Sequence, residues 1–287
     1  MSDIIIIGGG PAGVSAAVYA LRSGASVTIV KKDGGALEKA DLIENYYGFA
    51  EPVSGPELLE KGIAQAERLG AEIVDGEAVG MGFTDRLQVM TTAGDFEAYA
   101  VVLATGSTRN APRIPGLKEF EGKGVSYCAV CDGFFCRGKD VAVLGSGKYA
   151  LHEAMELQPV AASVTLLTNG ETPETDIPDW LRVDTRKIAS IEGGMLIEKV
   201  TFADGESMDT FRLFVAVGTA GSADLARKAG AVIDGTKITV DAAMATNVPG
   251  LFAAGDCTGG LAQVAKAVHE GAVAGMSAGK YVRSINN

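Results

Sequence analysis

The sequence predicts an α/β protein built from two parallel-sheet domains, the second inserted into the first. An apolar strand, a glycine-rich turn, a helix and a second strand follow one another within the first 30 residues. The same order returns about 137 residues later, between residues 140 and 167. A third apolar strand with its own turn, at 251–256, lies near the C-terminus. A chain of 287 residues is long enough for two such domains.

Hydrophobic periodicity and turn residues predict the individual elements. The predicted helices and strands of the first copy are a strand over 3–7, a helix over 11–22, a strand over 25–30, a helix over 56–69 and short alternating strands over 71–102. Those of the second copy are a strand over 140–144, a turn over 145–150, a helix over 151–158 and a strand over 163–167. Both copies are therefore predicted to be Rossmann-like, three-layer ββα domains that bind dinucleotides.

The chain is expected to cross between the domains twice, near 105–115 and near 237–241. The first domain would then comprise residues 1–109 and 241–287, and the inserted domain residues 110–240.

Composition limits the partners and the compartment. A formal net charge of −11 and an isoelectric point of about 4.8 argue against nucleic acid or an anionic membrane as a partner. The uncharged run from Ile4 to Leu21 is broken by three glycines and Pro11, which predicts a strand and a helix instead of a membrane span. Four clustered cysteines do not suit a secreted disulfide framework, so a cytoplasmic location is expected.

The motif Gly8-x-Gly10-x-x-Gly13 stands where a dinucleotide fingerprint belongs, after a strand and at the start of a helix. Gly8 permits the tight turn, Gly10 admits a pyrophosphate, and Gly13 allows close helix–strand packing. Pro11 and Ala12 open the helix, whose N-terminus favours phosphate. The acidic residue expected at the end of the second strand is missing, because Val30 is followed by Lys31 and Lys32. We therefore expect backbone and a lysine to hold the adenosine, although both lysines could equally be solvated surface.

Cys128 and Cys131 are separated by two residues and can close a small disulfide ring at the start of a helical turn. A helix N-terminus favours thiolate, so such pairs are readily reduced and reoxidised. No metal is expected, because a zinc site needs two further ligands at matched spacing. Asp132 is a candidate proton donor to the departing thiolate, or alternatively a helix-start residue that suits the dipole.

Several motifs of the chain, these two among them, resemble those of a known enzyme family. The motifs that carry this resemblance stand in the order and at the spacing of the low-molecular-weight thioredoxin reductases. They are Gly8-x-Gly10-x-x-Gly13, Glu44-Asn45, Ala104-Thr105-Gly106, Cys128-Ala129-Val130-Cys131-Asp132-Gly133 and Gly255-Asp256. The resemblance covers nearly the whole chain. It implies an FAD domain formed from both ends of the chain and an inserted NAD(P)H-binding-like domain that carries the disulfide.

The resemblance also implies roles for individual residues. Cys131 would lie against the flavin, and Cys128 would attack the protein substrate. The expected FAD-binding residues are Gly8, Gly10, Pro11, Ala12, Gly13, Val30, Lys31, Lys32, Gly35, Ala36, Leu37, Asn45, Ala78, Ala104, Thr105, Gly106, Gly255, Asp256, Ala262, Gln263 and Val264. Two of them depart from the family pattern, since Ala36 replaces a glutamine and Ala262 an arginine.

The inserted domain departs further from the family pattern. NADPH-dependent members end the strand after the second glycine turn in a His-Arg-Arg cluster that binds the 2′-phosphate. This chain has Thr168-Asn169-Gly170-Glu171 there, without a positive charge. The sequence is therefore similar to the ferredoxin-dependent flavin thioredoxin reductases, and reduced ferredoxin is the expected donor.

The hypothesis is an FAD-dependent thioredoxin reductase, a homodimer by family resemblance, with thioredoxin or a thioredoxin-like protein as substrate. Three alternatives stay open. The first is an NADPH-dependent thioredoxin reductase with a degenerate nucleotide site. The second is an O2-dependent dithiol oxidase, which rapid reoxidation of the flavin by air would favour. The third is a non-catalytic flavin redox sensor, which slow turnover with every disulfide would favour.

Overall fold

The computed structural model describes residues 2–106, 112–218 and 220–285. The chain divides into two compact units, one formed by Met1–Arg109 with Gly221–Asn287 and the other by Asn110–Ala220. The second unit is thus inserted into the first. The first crossing point falls between residues 107 and 111, outside the described residues.

The elements follow in chain order. The strands are β1 (Ile4–Ile7), β2 (Val27–Lys31), β3 (Glu72–Asp75), β4 (Ala78–Phe83), β5 (Leu87–Thr91), β6 (Gly94–Ala98), β7 (Ala100–Leu103), β8 (Val125–Ser126), β9 (Asp140–Leu144), β10 (Ser163–Leu167), β11 (Arg182–Asp184), β12 (Ile188–Gly193), β13 (Ile197–Phe202), β14 (Ser207–Asp209), β15 (Arg212–Val215), β16 (Ile233–Asp234), β17 (Lys237–Ile238) and β18 (Leu251–Ala253). The helices are α1 (Pro11–Arg22), α2 (Gly55–Arg68), α3 (Ala129–Asp132), α4 (Lys148–Leu157), α5 (Ser222–Lys228) and α6 (Val264–Ile285).

The first unit is built on a five-stranded sheet in the order β18-β7-β1-β2-β3, and every neighbouring pair in it is parallel. Its central strands are almost wholly apolar and buried, as expected for a sheet covered on both faces. An antiparallel three-stranded sheet, β4-β5-β6, is attached to it. The predicted α/β class is confirmed.

Helix α1 packs along α6 through backbone contacts that only glycine allows. A Cβ on Gly271 would lie 2.1 Å from the carbonyl oxygen of Ala12, and one on Gly275 would lie 2.1 Å from that of Ala16. The two helices therefore pack with almost no side chain between their backbones. This packing helps fix the position of α1, whose N-terminus meets the glycine turn.

The second unit repeats the plan with a parallel sheet in the order β11-β10-β9-β15-β8 and an antiparallel sheet, β12-β13-β14. Helix α4 follows β9 as predicted, but it begins at Lys148 and not at residue 151. Gly147 is its N-cap and has the same extended backbone as Gly10, the N-cap of α1. The fingerprint turn is therefore shorter than the sequence suggested.

The return crossing differs from the prediction. Residues 221–240 belong to the first unit, so the chain returns at 220/221 and not near 240. The Ser222 hydroxyl accepts a hydrogen bond from the Thr105 amide at 3.1 Å, and the Lys228 ammonium donates to the Val79 carbonyl at 3.1 Å. These two hydrogen bonds fix helix α5 within the first unit. Both join residues far apart in the chain, so no local sequence pattern predicts them. Among the described residues, no helix is long and apolar enough to cross a membrane.

The contact between α1 and α6 gives a first prediction. Gly275→Ala should lower the melting temperature of the protein, because the new Cβ would overlap a backbone oxygen and overpacking costs about 1–3 kcal/mol. Gly62→Ala in α2 is the matched control, since its Cβ would meet only a Val14 methyl group at 3.3 Å. Thermal unfolding of both variants measures the difference. Equal melting temperatures would show that α1 and α6 can separate without cost.

Candidate active site: two glycine turns and a disulfide

Parallel strands bring the first unit's predicted cofactor residues to one edge of its sheet. Ile7, the last residue of β1, is level with Val30 and Leu103, and Leu103 is level with Ala253. The loops that follow these four strands therefore leave the sheet side by side. Clefts of this kind, at the carboxyl ends of parallel strands, are where nucleotides bind to α/β sheets.

The first turn has the geometry that a dinucleotide needs. Gly8 has φ +116°, and a Cβ on it would lie 2.4 Å from the Ala104 carbonyl oxygen. A Cβ on Gly13 would lie 1.9 Å from the Gly8 carbonyl oxygen, so no larger residue fits there. At Gly10, by contrast, a Cβ would meet no atom of the described residues within 4 Å apart from those of its own neighbours in the chain. The turn is closed on the protein side and open at the N-terminus of α1.

A cavity of about 490 Å³ adjoins this turn within the first unit. The predicted cofactor residues Gly10, Pro11, Leu37 and Val264 line it. Its remaining walls come from α1, from α2 and from the aromatic segment Tyr46–Phe49. Apolar cavities of this size are typical of sites for small molecules and cofactors.

The other predicted cofactor residues of the first unit lie around the same edge. Gly35, Ala36 and Leu37 form one turn of 3-10 helix, and Asn45 donates a hydrogen bond of 2.8 Å to the Gln263 side chain. Ala78 begins β4, Ala104, Thr105 and Gly106 follow β7, and Ala262 and Gln263 stand directly before α6 at Val264. Neither Lys31, the last residue of β2, nor Lys32 is free, since Lys31 pairs with Asp75 at 2.5 Å and Lys32 with Glu77 at 2.9 Å.

The Gly255-Asp256 turn is supported by two residues that the sequence did not single out. The Glu270 carboxylate accepts hydrogen bonds from the Gly255 amide and the Thr258 hydroxyl, both at 2.8 Å. Lys266 donates to the Gly255 carbonyl at 2.7 Å and pairs with Glu270 at 3.0 Å. In sequence they form an ordinary i,i+4 pair of a kind common on solvated helix faces. The structure instead uses them to fix the turn.

Cys128 and Cys131 form a disulfide at the start of α3, in the second unit. Cys128 is the N-cap of this helix, and its sulfur accepts a hydrogen bond from the Cys131 amide at 3.1 Å. The Cys128 side chain is 2% exposed, whereas Cys131 is exposed. If Cys128 is the residue that attacks a protein substrate, its sulfur must therefore first become exposed.

The other two cysteines are buried thiols. Burial raises the pKa of the Cys257 thiol to about 11, although a hydrogen bond with Ser222 acts in the opposite direction. Burial also raises the pKa of Cys136, against the opposing charge of Arg212. Both thiols stay protonated near neutral pH, which suits packing and not nucleophilic chemistry.

Asp132 pairs with an arginine that the sequence analysis missed. One oxygen of its carboxylate lies 3.2 Å from Nη1 of Arg212, at the start of β15. The Arg212 guanidinium also lies 5.9 Å from the centre of the Phe135 ring. To donate a proton, Asp132 would have to be protonated and give up this ion pair. The contact is between residues 80 positions apart, so no local pattern could have revealed it.

The second glycine turn has the shape of the first but carries acidic side chains. Gly145 lies against the Ala216 carbonyl much as Gly8 lies against that of Ala104, with a Cβ position 2.3 Å from the oxygen. At Gly147, however, a carboxylate oxygen of Glu174 lies 3.1 Å from the position of a Cβ. The Ser146 hydroxyl donates to the Glu171 carboxylate at 2.6 Å. Two acidic side chains thus contact the second glycine turn.

Comparison with known proteins agrees with this geometry. The family model described as pyridine nucleotide-disulphide oxidoreductase matches residues 2–271. The thioredoxin reductase of Peptoclostridium litorale is 34% identical, over 99% of this chain and 98% of its own. The crystal structure of the atypical thioredoxin reductase TRi from Desulfovibrio vulgaris Hildenborough is 40% identical, covers 99% of both chains and has a TM-score of 0.93.

A ferredoxin-flavin thioredoxin reductase from Clostridium acetobutylicum is also similar, at 30% identity and a TM-score of 0.70, over 99% of this chain and 98% of its own. These similarities span both units. The chain therefore belongs to the pyridine nucleotide-disulphide oxidoreductase family, and within it to the thioredoxin reductases, which are flavin-dependent disulfide oxidoreductases.

Proposed function

We propose that this chain is an FAD-dependent thioredoxin reductase whose electron donor is reduced ferredoxin and not NADPH. The observation that carries the donor assignment is the contrast between the two glycine turns. The first is open at Gly10, whereas the second has the Glu174 carboxylate against Gly147. We therefore expect the first glycine turn to bind a dinucleotide and the second not to bind one.

FAD fits the first unit. The closed side of the turn at Gly8 and Gly13 and the open N-terminus of α1 form a cradle for a pyrophosphate. The adjoining cavity supplies apolar and aromatic walls. When bound, the flavin would supply the electron pair that reduces the disulfide. The residues proposed to hold it are the turn residues, Leu37, Asn45, Asp256 and Val264.

The cysteines would then perform thiol–disulfide exchange. The Cys128 thiolate attacks the disulfide of thioredoxin, which forms a mixed disulfide and releases one thioredoxin thiolate. The Cys131 thiolate next attacks the Cys128 sulfur, which restores the Cys128–Cys131 disulfide and releases the second thioredoxin thiolate. Asp132, once it has left Arg212 and taken up a proton, is the proposed proton donor to a departing thiolate. The enzyme loses two electrons in this exchange, and thioredoxin gains them.

The surface beside the disulfide suits a protein substrate. Phe134 and Phe135 are 72% and 62% exposed, and they follow the disulfide helix directly. Large exposed aromatic side chains of this kind mark protein-interaction sites. We propose that they receive thioredoxin.

NADPH and NADH are disfavoured by like charge and by shape. A pyrophosphate placed against Gly147 would meet the carboxylates of Glu171 and Glu174. Both side chains are exposed, so water weakens the repulsion between the like charges, but no cation of this segment offsets it. The strand β10 is followed by Thr168-Asn169-Gly170-Glu171, without the cations that a 2′-phosphate requires. The similar ferredoxin-flavin thioredoxin reductase makes ferredoxin the donor that we propose.

We also propose a homodimer in the cytoplasm. Leu42 is 65% exposed and Phe83 is 56% exposed on the first unit, which leaves apolar surface for a second copy to cover. The thiols of Cys136 and Cys257 suit a reducing compartment. Sedimentation of the holoprotein as a monomer would contradict the dimer.

The cofactor proposal predicts one tightly bound, non-covalent FAD per chain. The purified protein should be yellow, and heat or acid should release FAD, because the turn at Gly8–Gly13 fits a pyrophosphate that FMN lacks. Chromatography of the supernatant distinguishes the two flavins. Release of FMN, or a folded protein without flavin, would contradict the proposal.

The cysteines are predicted to play unequal roles. Cys131→Ser should trap thioredoxin as a stable mixed disulfide on Cys128, because the second exchange step is removed. Cys128→Ser should form no such adduct. Non-reducing electrophoresis and mass spectrometry measure the adduct, and Cys136→Ser is the matched control with a buried thiol. An adduct on Cys131 in place of Cys128 would reverse the assignment.

Ferredoxins are usually acidic, so docking on this acidic chain would need a local basic patch. Lys31, Lys32, Arg137 and Lys139 are the candidates, but Lys31 and Lys32 are already ion-paired. Arg137 and Lys139 are exposed and lie over the rings of Phe134 and Phe211. We propose these two as the donor contact.

Charge reversal tests this patch. Arg137→Glu with Lys139→Glu should slow flavin reduction by reduced ferredoxin at least tenfold, in the manner of a lost electrostatic steering effect. Raised salt should slow the unmodified enzyme likewise. Lys118→Glu, at an exposed lysine elsewhere in the second unit, should have little effect. Unchanged ferredoxin kinetics in the double variant would move the contact elsewhere.

A further inference from the structure

A carboxylate is buried within the second unit, next to the disulfide helix. Glu153 lies on α4 and is only 1% exposed. The other inward residues of this helix include Ala150, Ala154 and Leu157, which are apolar. Buried carboxylates are costly unless they are hydrogen-bonded, so one on an otherwise apolar face indicates a specific use.

Glu153 contacts the backbone beside the redox sulfur. Its Oε2 accepts a hydrogen bond from the Ala129 amide at 2.8 Å. Ala129 is the first residue of α3 and is joined directly to Cys128. The buried carboxylate therefore lies at the peptide group that links Cys128 to the helix.

Two effects of opposite sign act on a Cys128 thiolate there. The Cys131 amide points at the Cys128 sulfur and favours the anion. A negative charge on the neighbouring Glu153 disfavours it, because like charges resist joint ionisation. Glu153 therefore opposes the activation that the start of the helix provides.

We propose that Glu153 is a positioning residue that fixes the Cys128 backbone and, through its charge, keeps the Cys128–Cys131 pair strongly reducing. The inference rests on the redox role of this disulfide. Reduction breaks the sulfur–sulfur bond and takes up two electrons and two protons to give two thiols. Once pH rises far enough for one thiol to ionise, any group that favours the thiolate favours the reduced form. A carboxylate that disfavours the thiolate thus favours the disulfide and the transfer of electrons to a partner.

Other ionisable groups face the same region. Asp132 on α3 is paired with Arg212 of β15, at 3.2 Å. Cys136 is a buried thiol whose sulfur contacts the Asp132 carbonyl at 3.7 Å. His152 on α4 lies 3.8 Å from Glu156, one turn along the same helix. Glu153 is the buried acid that is hydrogen-bonded to the residue following Cys128.

Glu153→Gln tests the proposal, because glutamine keeps the shape and an acceptor oxygen but removes the charge. The holoenzyme is equilibrated without oxygen in thiol–disulfide redox buffers from acidic to alkaline pH, then alkylated. Mass spectrometry of the Cys128–Cys131 peptide gives the reduced fraction. At alkaline pH the variant should favour the dithiol about tenfold more than the native enzyme, which for two electrons is about 30 mV. At acidic pH, where both thiols are protonated, the two curves should merge.

Two further variants separate charge from packing. Glu119→Gln, at an exposed acid elsewhere in the second unit, is the control for loss of one negative charge and should follow the native curve. Glu153→Asp keeps the charge and should retain most of the native pH dependence. The proposal is overturned if Glu153→Gln shifts the equilibrium equally at every pH, if it has no effect, or if Glu153→Asp behaves like Glu153→Gln. The assay contains neither thioredoxin nor an electron donor, so its outcome is independent of the proposed partners.

Discussion

The close approach of backbone to backbone around α1 is the constraint on which the first unit depends. Gly13 lies against the Gly8 carbonyl, and Gly271 and Gly275 lie against carbonyls of α1 itself. Because no side chain separates these segments, α1 is held in one position relative to β1 and α6. Its N-terminus is thereby fixed at the edge of the sheet where the loops after β2, β7 and β18 begin. The pyrophosphate site that we propose would follow from this packing, without any charged side chain in the turn.

In our proposal the second unit has the same fold but does not bind a nucleotide. Gly145 packs against its neighbouring strand as Gly8 does, and Gly147 caps α4 with the backbone of Gly10. The difference lies in what faces the turn. Glu171 and Glu174 bring negative charge to a position where phosphates need donors and cations. The second unit keeps its architecture and carries the disulfide on α3, so its role in our account is thiol exchange and not nucleotide binding.

Much of this was accessible from the sequence, for local reasons. Glycine spacing predicted both turns, and the spacing of Cys128 and Cys131 predicted a disulfide at a helix start, which the structure contains. What the sequence missed depends on contacts distant along the chain. The return at 220/221 reflects bonds from Ser222 to Thr105 and from Lys228 to Val79. The ion pairs of Lys31 and Lys32 likewise come from residues more than 40 positions away. Among the features that were missed, Glu153 had the clearest sequence signal, because it is a charged residue on the same helix face as the apolar residues Ala150, Ala154 and Leu157.

Anaerobic rapid mixing of the yellow holoenzyme with NADPH, NADH and reduced ferredoxin in turn tests the central claim most directly. The absorbance of the oxidised flavin reports reduction in each case. We expect fast, saturable bleaching by reduced ferredoxin. We expect no bleaching by either pyridine nucleotide on the timescale of turnover, because Glu171 and Glu174 disfavour the binding of phosphate groups at the second turn. Rapid, saturable bleaching by micromolar NADPH would contradict it and would make the second glycine turn a working nucleotide site.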